Sequence, residues 1–206
     1  MPFKLSTVLM ASLVLAGSVG AVIAWRFAFF LLPFAWTGES ARLAELLHLR
    51  PGATVADIGA GDGAMAIEMA RVVGRDGVVY ATELSAEQRE AIARRVVEAN
   101  LPQVRVVEGA ADTTRLPDAC CDAVYLRAVT HHLSDRGRFA GEIRKAVRSG
   151  GMVAVIDVAP GSLWFHGADH GVTADEVGRA FEGAGFALVD RIENWGGGMF
   201  AMVFRR

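Results

Sequence analysis

An apolar run, Thr54-Val-Ala-Asp-Ile58, leads directly into Gly59-Ala-Gly-Asp-Gly63, and a helical pattern from Asp62 to Val73 follows. A strand that turns through glycines into a helix opens a βαβ unit. The rest of the chain keeps that alternation. Strands are expected at Gly77–Thr82, Val104–Val107, Asp122–Leu126 and Met152–Val158. Helices are expected at Ser85–Ala99, with Ser85 and Gln88 in a capping-box pattern, and at Ser134–Val147, ended by Ser149-Gly150-Gly151. A helix over Gly38–Leu49, with Leu43, Leu46 and Leu47 on one face, precedes the first strand. This order argues for an open, mostly parallel α/β sheet with helices on both faces.

The ending differs. Thr173–Ala184 reads as a helix, and Phe186–Ile192 and Met199–Phe204 read as strands. The short stretch Glu193–Gly198 between them cannot hold a crossover helix, so the two strands should be antiparallel neighbours.

Composition matters at the N-terminus. The chain has 206 residues, a net charge of −2 and 52% hydrophobic residues, which excludes intrinsic disorder. It also lacks the basic excess of a nucleic-acid binder, so no nucleic-acid partner is expected. The apolar excess is concentrated in Leu5–Trp25, which carries no charge, and in Phe27–Trp36, broken by Pro33. A helix over the first stretch would span roughly 30 Å, the thickness of a bilayer core. Residues 1–37 are therefore read as a hydrophobic anchor, with the membrane engaged through residues 5–36, and 38–206 as the globular domain. A cleaved export signal is the alternative, although the run exceeds a usual signal core. Lys4 before the span, against Arg26 and Arg42 after it, weakly places the globular part in the cytoplasm. Cys120 and Cys121 are adjacent and cannot cross-link distant parts of the fold.

The glycine turn lies at the carboxyl edge of the sheet, where ligands bind in such folds. Its spacing is G-x-G-x-G, not the G-x-G-x-x-G of a dinucleotide site. Asp57, two residues ahead, would repel a pyrophosphate and suits a ligand that is cationic or offers amines and hydroxyls. Glu83 ends the second strand, where an acid can accept hydrogen bonds from ribose hydroxyls. A tight turn with no ligand and an ordinary acid at a helix start are the plain alternatives.

Val55–Gly63, Glu83, Asp122-Ala-Val-Tyr-Leu126, Leu126-Arg-Ala-Val-Thr-His-His-Leu-Ser-Asp135 and Ala180-Phe-Glu-Gly-Ala-Gly-Phe186 together resemble class I S-adenosylmethionine-dependent methyltransferases. The resemblance runs from about Glu39 to Arg206. It implies a Rossmann-like seven-stranded, mostly parallel sheet with an antiparallel last strand, and S-adenosyl-L-methionine as cofactor. It places Asp57, Gly59, Ala60 and Gly61 beside the methionyl part and Glu83 and Leu84 at the ribose and adenine. Asp112 would take the adenine amino group, and Ala111 and Arg127 are further cofactor-binding positions. Ala110 stands where many members carry the adenine-binding acid, and Asp112 is the substitute.

Methyl transfer from a sulfonium needs no acid for its leaving group, and it needs a base only when the acceptor must lose a proton. Arg127, Thr130, His131 and His132, after the fourth strand, are the candidates, of which His131 and His132 could deprotonate a hydroxyl or orient an acceptor, with shaping of the loop as the plain alternative. His166 and His170 have a metal-binding spacing, but Gly167 and Gly171 argue for a loop, and no metal is expected. The acceptor is expected to be a small or lipid-soluble molecule. A non-catalytic module binding S-adenosylmethionine or S-adenosylhomocysteine is the competing reading, and a nicotinamide-dependent reductase is disfavoured by the glycine spacing.

Overall fold

A computed structural model describes residues 34–161 and 171–206, with side chains from Gly38 onward. Glu39–Arg206 forms one compact unit, which contains the whole sheet. The anchor expected over residues 5–36 lies outside the described residues except for its last turn, as does the segment with His166 and His170. Among the described residues no helix is long and apolar enough to cross a membrane.

Helix α1 (Phe34–Leu46) precedes strand β1 (Thr54–Ile58), helix α2 (Ala64–Val73), β2 (Val78–Glu83), α3 (Ala86–Glu98), β3 (Val104–Glu108) and β4 (Cys121–Arg127). A 3-10 turn (Thr130–His132) then leads to α4 (Arg136–Ala146), β5 (Val147–Val158), α5 (Ala174–Gly183), β6 (Ala187–Gly196) and β7 (Met199–Arg205). The strand order is β3-β2-β1-β4-β5-β7-β6. Every pairing is parallel except those of β7, which runs antiparallel to both β5 and β6. The chain winds outward from β1 in one direction and from β4 in the other. Right-handed crossovers therefore put α2 and α3 on one face and α4 and α5 on the other. The switch point between β1 and β4 opens a crevice at the carboxyl edge, where Gly59 and Arg127 emerge side by side.

The α4–α5 face holds a large apolar cluster that includes Phe139, Ile143, Phe181 and Phe204. The Phe181 and Phe204 rings stack at 4.8 Å. Each fully buried aromatic of this kind contributes about 1.5–3 kcal/mol. This packing makes the strand ends a rigid platform for the loops above them.

Most elements shift by a residue or two at their ends, and four of the differences have a clear local reason. Helix α1 stops at Leu46 because His48 takes a left-handed backbone, φ 52°. Helix α2 starts at Ala64, not Asp62, because Gly63 takes φ 79°, and Asp62 closes the turn by accepting from the Ala64 N–H at 3.0 Å. Ser149-Gly150-Gly151 does not cap α4. The helix ends at Ala146, β5 begins at Val147, and the three residues, with Arg148, form a bulge between the Cys121–Val147 and Ala123–Met152 pairs. A Cβ on Gly151 would come within 2.8 Å of the Asp122 carbonyl oxygen, so the bulge requires glycine there. Finally, β6 continues to Gly196 because Trp195 is buried and draws the strand on, leaving a tight glycine turn before β7.

Candidate active site

The turn after β1 is fixed from below. The N–H groups of Gly59 and Ala60 both donate to the Thr82 carbonyl at 2.9 Å, which ties the turn to the end of β2. Gly59 has φ 72°, and a Cβ there would fall 2.6 Å from Val129 Cγ2. Gly61 has φ 55°, and a Cβ there would meet nothing within 4 Å. The two glycines therefore serve different ends. Gly59 lets the turn pack against the β4 loop, and Gly61 leaves open space above the backbone.

Glu83 organises the opposite wall. Its Oε2 accepts from the Gly61 N–H at 2.9 Å and its Oε1 from the Ser85 N–H at 3.0 Å. The capping-box expectation is met by half. The Ser85 hydroxyl accepts from the Gln88 N–H at 3.3 Å, but the Ser85 N–H is taken by Glu83 and not by Gln88. Arg89 reaches back from α3 to donate to the Glu83 carbonyl at 3.0 Å. Gly109, at the end of β3, donates to the same carbonyl at 3.0 Å. Two charge-assisted bonds hold the carboxylate across the glycine turn, and each oxygen retains a lone pair for a ligand.

Glu83 lines a cavity of about 290 Å³. Gly59 and Leu84 share its wall, with Ala110 and Ala111 from the β3 loop and Val129 and His132 from the β4 loop. Leu84 is 62% exposed at its mouth, an apolar surface without a protein partner of its size. An exposed leucine facing small alanines suits a flat, uncharged ring.

Asp57 is buried beneath the turn at the end of β1, beside Tyr125 of β4 in the strand register. Its Oδ2 and the Tyr125 hydroxyl both lack a hydrogen bond of normal geometry. Burial pushes the Asp57 carboxyl up to about 7. The Tyr125 hydroxyl is near enough to pull it partly back, Glu83 raises it further, Arg127 lowers it and Asp62 raises it. Burial pushes the Tyr125 hydroxyl well above its ordinary range, and the Asp57 carboxylate adds to this. An orphaned buried acid oxygen is costly, and a cation or N–H donor from a ligand above the turn would relieve it.

The β4 loop carries the second group of polar residues. Ala128 leaves the strand with φ 55°, uncommon for a residue with a Cβ. The 3-10 turn then brings His131 against Asp157, at the end of β5. Asp157 is completely buried. Its Oδ1 lies 2.5 Å from His131 Nδ1 and accepts from the Val158 N–H at 2.8 Å, and its Oδ2 accepts from the His131 N–H at 3.2 Å. The His131 ring packs on that of His132, centroids 3.9 Å apart. His132 is exposed and faces the cavity. The buried carboxylate fixes the orientation of the His131 ring, and with it the loop that carries His132.

Of the expected residues, Gly59, Glu83, Leu84, Ala111 and His132 line the cavity. Asp57, Ala60 and Gly61 belong to the strand end and turn beside it. The His131 side chain, 5% exposed, is buried against Asp157 and is not on the wall. Arg127 stands beside the glycine turn, its Nε 2.8 Å from Glu39 of α1. Asp112 is apart from them. Its carboxylate is exposed, pairs with Arg138 at 3.4 Å and is absent from the cavity wall. Sequence reasoning missed Asp157, Tyr125, Glu39 and Trp195. Asp157 had a readable signal, as the single acid in Met152-Val-Ala-Val-Ile-Asp-Val158, an otherwise apolar strand. A larger cavity of about 380 Å³ lies between β6, β7 and the start of α5, away from the glycine turn. Among the described residues no cluster of three or more histidines, cysteines or acids is arranged to hold a metal ion.

Residues 56–155 match the family described as "Methyltransferase domain". Over 125 residues the chain is 36% identical to 27-O-demethylrifamycin SV methyltransferase of Amycolatopsis mediterranei, covering 60% of this chain and 45% of that protein. It is 29% identical over 126 residues to demethylmenaquinone methyltransferase of Bacillus mycoides, covering 61% and 52%. The chain spans about half the length of these curated relatives. A methyltransferase from Aquifex aeolicus, described as SAM-dependent, shares the fold with a TM-score of 0.70 at 24% identity, covering 81% of this chain and 88% of that one. The chain thus carries, at residues 56–155, a stretch that matches a methyltransferase domain, and it shares its fold with a SAM-dependent methyltransferase.

Proposed function

We propose, from the methyltransferase domain at residues 56–155, that the whole chain transfers a methyl group from S-adenosylmethionine to a hydroxyl of a small or lipid-soluble acceptor. The observation that carries this reading is the Glu83 carboxylate. It spans the glycine turn and lines the cavity beside it.

The residues fit the cofactor. Glu83 would hold the ribose diol, with Leu84 and Ala111 on either side of the adenine. Gly59, Ala60 and Gly61 would pass under the methionyl chain, and Asp57 would face its ammonium. Asp112 would reach the adenine only if it left Arg138. Bound S-adenosylmethionine supplies an electrophilic methyl on a sulfonium and departs as a neutral thioether. The protein's remaining tasks are to orient the acceptor, exclude water and take a proton.

His132, on the cavity wall, takes that proton as the acceptor's oxygen lone pair forms the new C–O bond, and gives it up to solvent after transfer. His131, fastened to buried Asp157, packs on the His132 ring and positions it. The relatives named above support a small-molecule acceptor, one of them named for an O-demethylated substrate and one for demethylmenaquinone.

Residues 5–36 anchor the enzyme to a membrane, with the globular unit on the cytoplasmic side where S-adenosylmethionine is made. The charge-free run Leu5–Trp25 supports this part of the reading. Carbonate extraction of membranes checks it: the full chain stays in the pellet if anchored and enters the supernatant if not.

The test of the activity is incubation of the full chain with methyl-labelled S-adenosylmethionine and a panel of phenols, enols and lipid-soluble quinols, each beside its O-blocked form. Label enters the hydroxyl compounds and not the blocked ones. Label in neither set, or equally in both, overturns the proposed reaction.

A further inference from the structure

Arg127 and Trp195 begin on strands separated by β5 and β7, yet their side chains meet on one atom. Glu39 Oε1 accepts from Arg127 Nε at 2.8 Å and from the Trp195 indole N–H at 2.7 Å. Arg42, three residues further along α1, places its guanidinium 4.1 Å from the Trp195 ring centroid and donates to the Trp195 carbonyl at 3.2 Å. Glu39 and Arg127 are both largely shielded, with side chains 15% and 23% exposed. Such a pair feels its charges more strongly than a surface pair does.

Arg127 directly follows Leu126, the residue that pairs with Ile58, and so stands next to Gly59. Its charge reaches Asp57 beneath the turn. A fixed cation is therefore built into the edge of a site that, on the reading above, receives a second cation, the sulfonium. Unbalanced, it would favour the uncharged product over the charged substrate.

We propose that Glu39 is a positioning residue that holds Arg127 and offsets its charge, so that the site accepts the cationic sulfonium cofactor as readily as its neutral thioether product. Because both donors share one carboxylate, the same contact fastens α1 and the end of β6 above the strands. The proposal rests on the cofactor reading and adds to it a determinant of the preference between substrate and product.

The test is calorimetric titration of the full chain with S-adenosylmethionine and separately with S-adenosylhomocysteine, read as the ratio of the two dissociation constants. Glu39→Gln keeps an acceptor for the indole and removes the charge. It weakens S-adenosylmethionine about tenfold more than S-adenosylhomocysteine. Arg127→Gln moves the ratio the opposite way, and Trp195→Phe, which keeps the charge pair, leaves it within about twofold. A purely structural role would shift both ligands by one factor in Glu39→Gln, and that result, or an unmoved ratio, overturns the proposal. If Glu39→Gln does not fold, the Arg127→Gln ratio decides alone, and a shift disfavouring S-adenosylmethionine, or none, is contrary. Wild-type protein that binds neither ligand overturns the cofactor reading itself, an outcome distinct from binding with an unmoved ratio.

Discussion

The carboxylate of Asp157, at the end of β5, lies 2.5 Å from Nδ1 of His131 in the loop after β4. The two residues are brought together by the parallel pairing of adjacent strands, which places both loops at one edge of the sheet. Asp157 also accepts two backbone N–H groups, so its position does not depend on the histidine alone.

The pair holds the loop that carries His132, whose ring packs on that of His131. His132→Ala, on the cavity wall, lowers kcat by about 10²–10⁴-fold, with S-adenosylhomocysteine binding unchanged. Asp157→Asn keeps the shape but loosens His131, and lowers kcat much less, by about tenfold or under. Steady-state kinetics on both variants check the assignment.

Asp57 gives the folded chain a pH dependence of definite sign. Its carboxyl is raised from an ordinary 3.8 to about 7 by burial. Below the ordinary value both folded and unfolded chains hold the proton, and the site adds no penalty. Between the two values the unfolded chain releases the proton and the folded chain keeps it, so stability falls as pH rises through this window. Above it the penalty is constant, up to roughly 4 kcal/mol. Asp57→Asn removes the penalty. Urea unfolding at a series of pH values should show the variant gaining on the wild type up to pH 7 and holding its advantage beyond, whereas a constant difference from pH 4 to 8 would speak against the assignment.

The two glycines of the turn should respond differently to an added methyl. Gly59→Ala forces both a left-handed alanine and a 2.6 Å approach to Val129. It lowers stability by more than the roughly 1–2 kcal/mol of the backbone change alone. Gly61→Ala incurs only that backbone cost, since nothing lies within 4 Å of its new Cβ. It leaves a folded protein whose open space is filled and whose cofactor affinity drops. Thermal melts paired with ligand titration distinguish the two.

The sheet was legible because its signals are local. Alternating apolar strands and helices fix the layers, and the short Glu193–Gly198 stretch implies the antiparallel hairpin that β6 and β7 form. The positions of Asp57, Gly59 and Glu83 in the fold were legible for a related reason, since each has a set place relative to a strand end, and their part in binding is the proposal made above. What escaped depends on distant segments. The Asp157–His131 pair joins two loops through strand register. Glu39, Arg127 and Trp195 meet from three elements far apart in sequence, and no spacing rule connects them. The helix expected over Ser134–Val147 ends within one residue of that bound, but Ser149-Gly150-Gly151 does not end it: the strand already begins at Val147, and those residues bulge against β4, a contact invisible in the local pattern. Asp112 was chosen by position in the chain, but a turn points its carboxylate to Arg138 and away from the cavity.

The central claim is that Glu83 grips an adenosyl ligand beside the glycine turn. Calorimetric titration of the full chain with S-adenosylhomocysteine, in wild type and in Glu83→Ala, tests it most directly. The account predicts saturable one-to-one binding in the wild type, weakened at least about tenfold in the variant through loss of the ribose contact and of the bond that braces Gly61. Absence of binding in the wild type, or equal affinity in the two proteins, would contradict it.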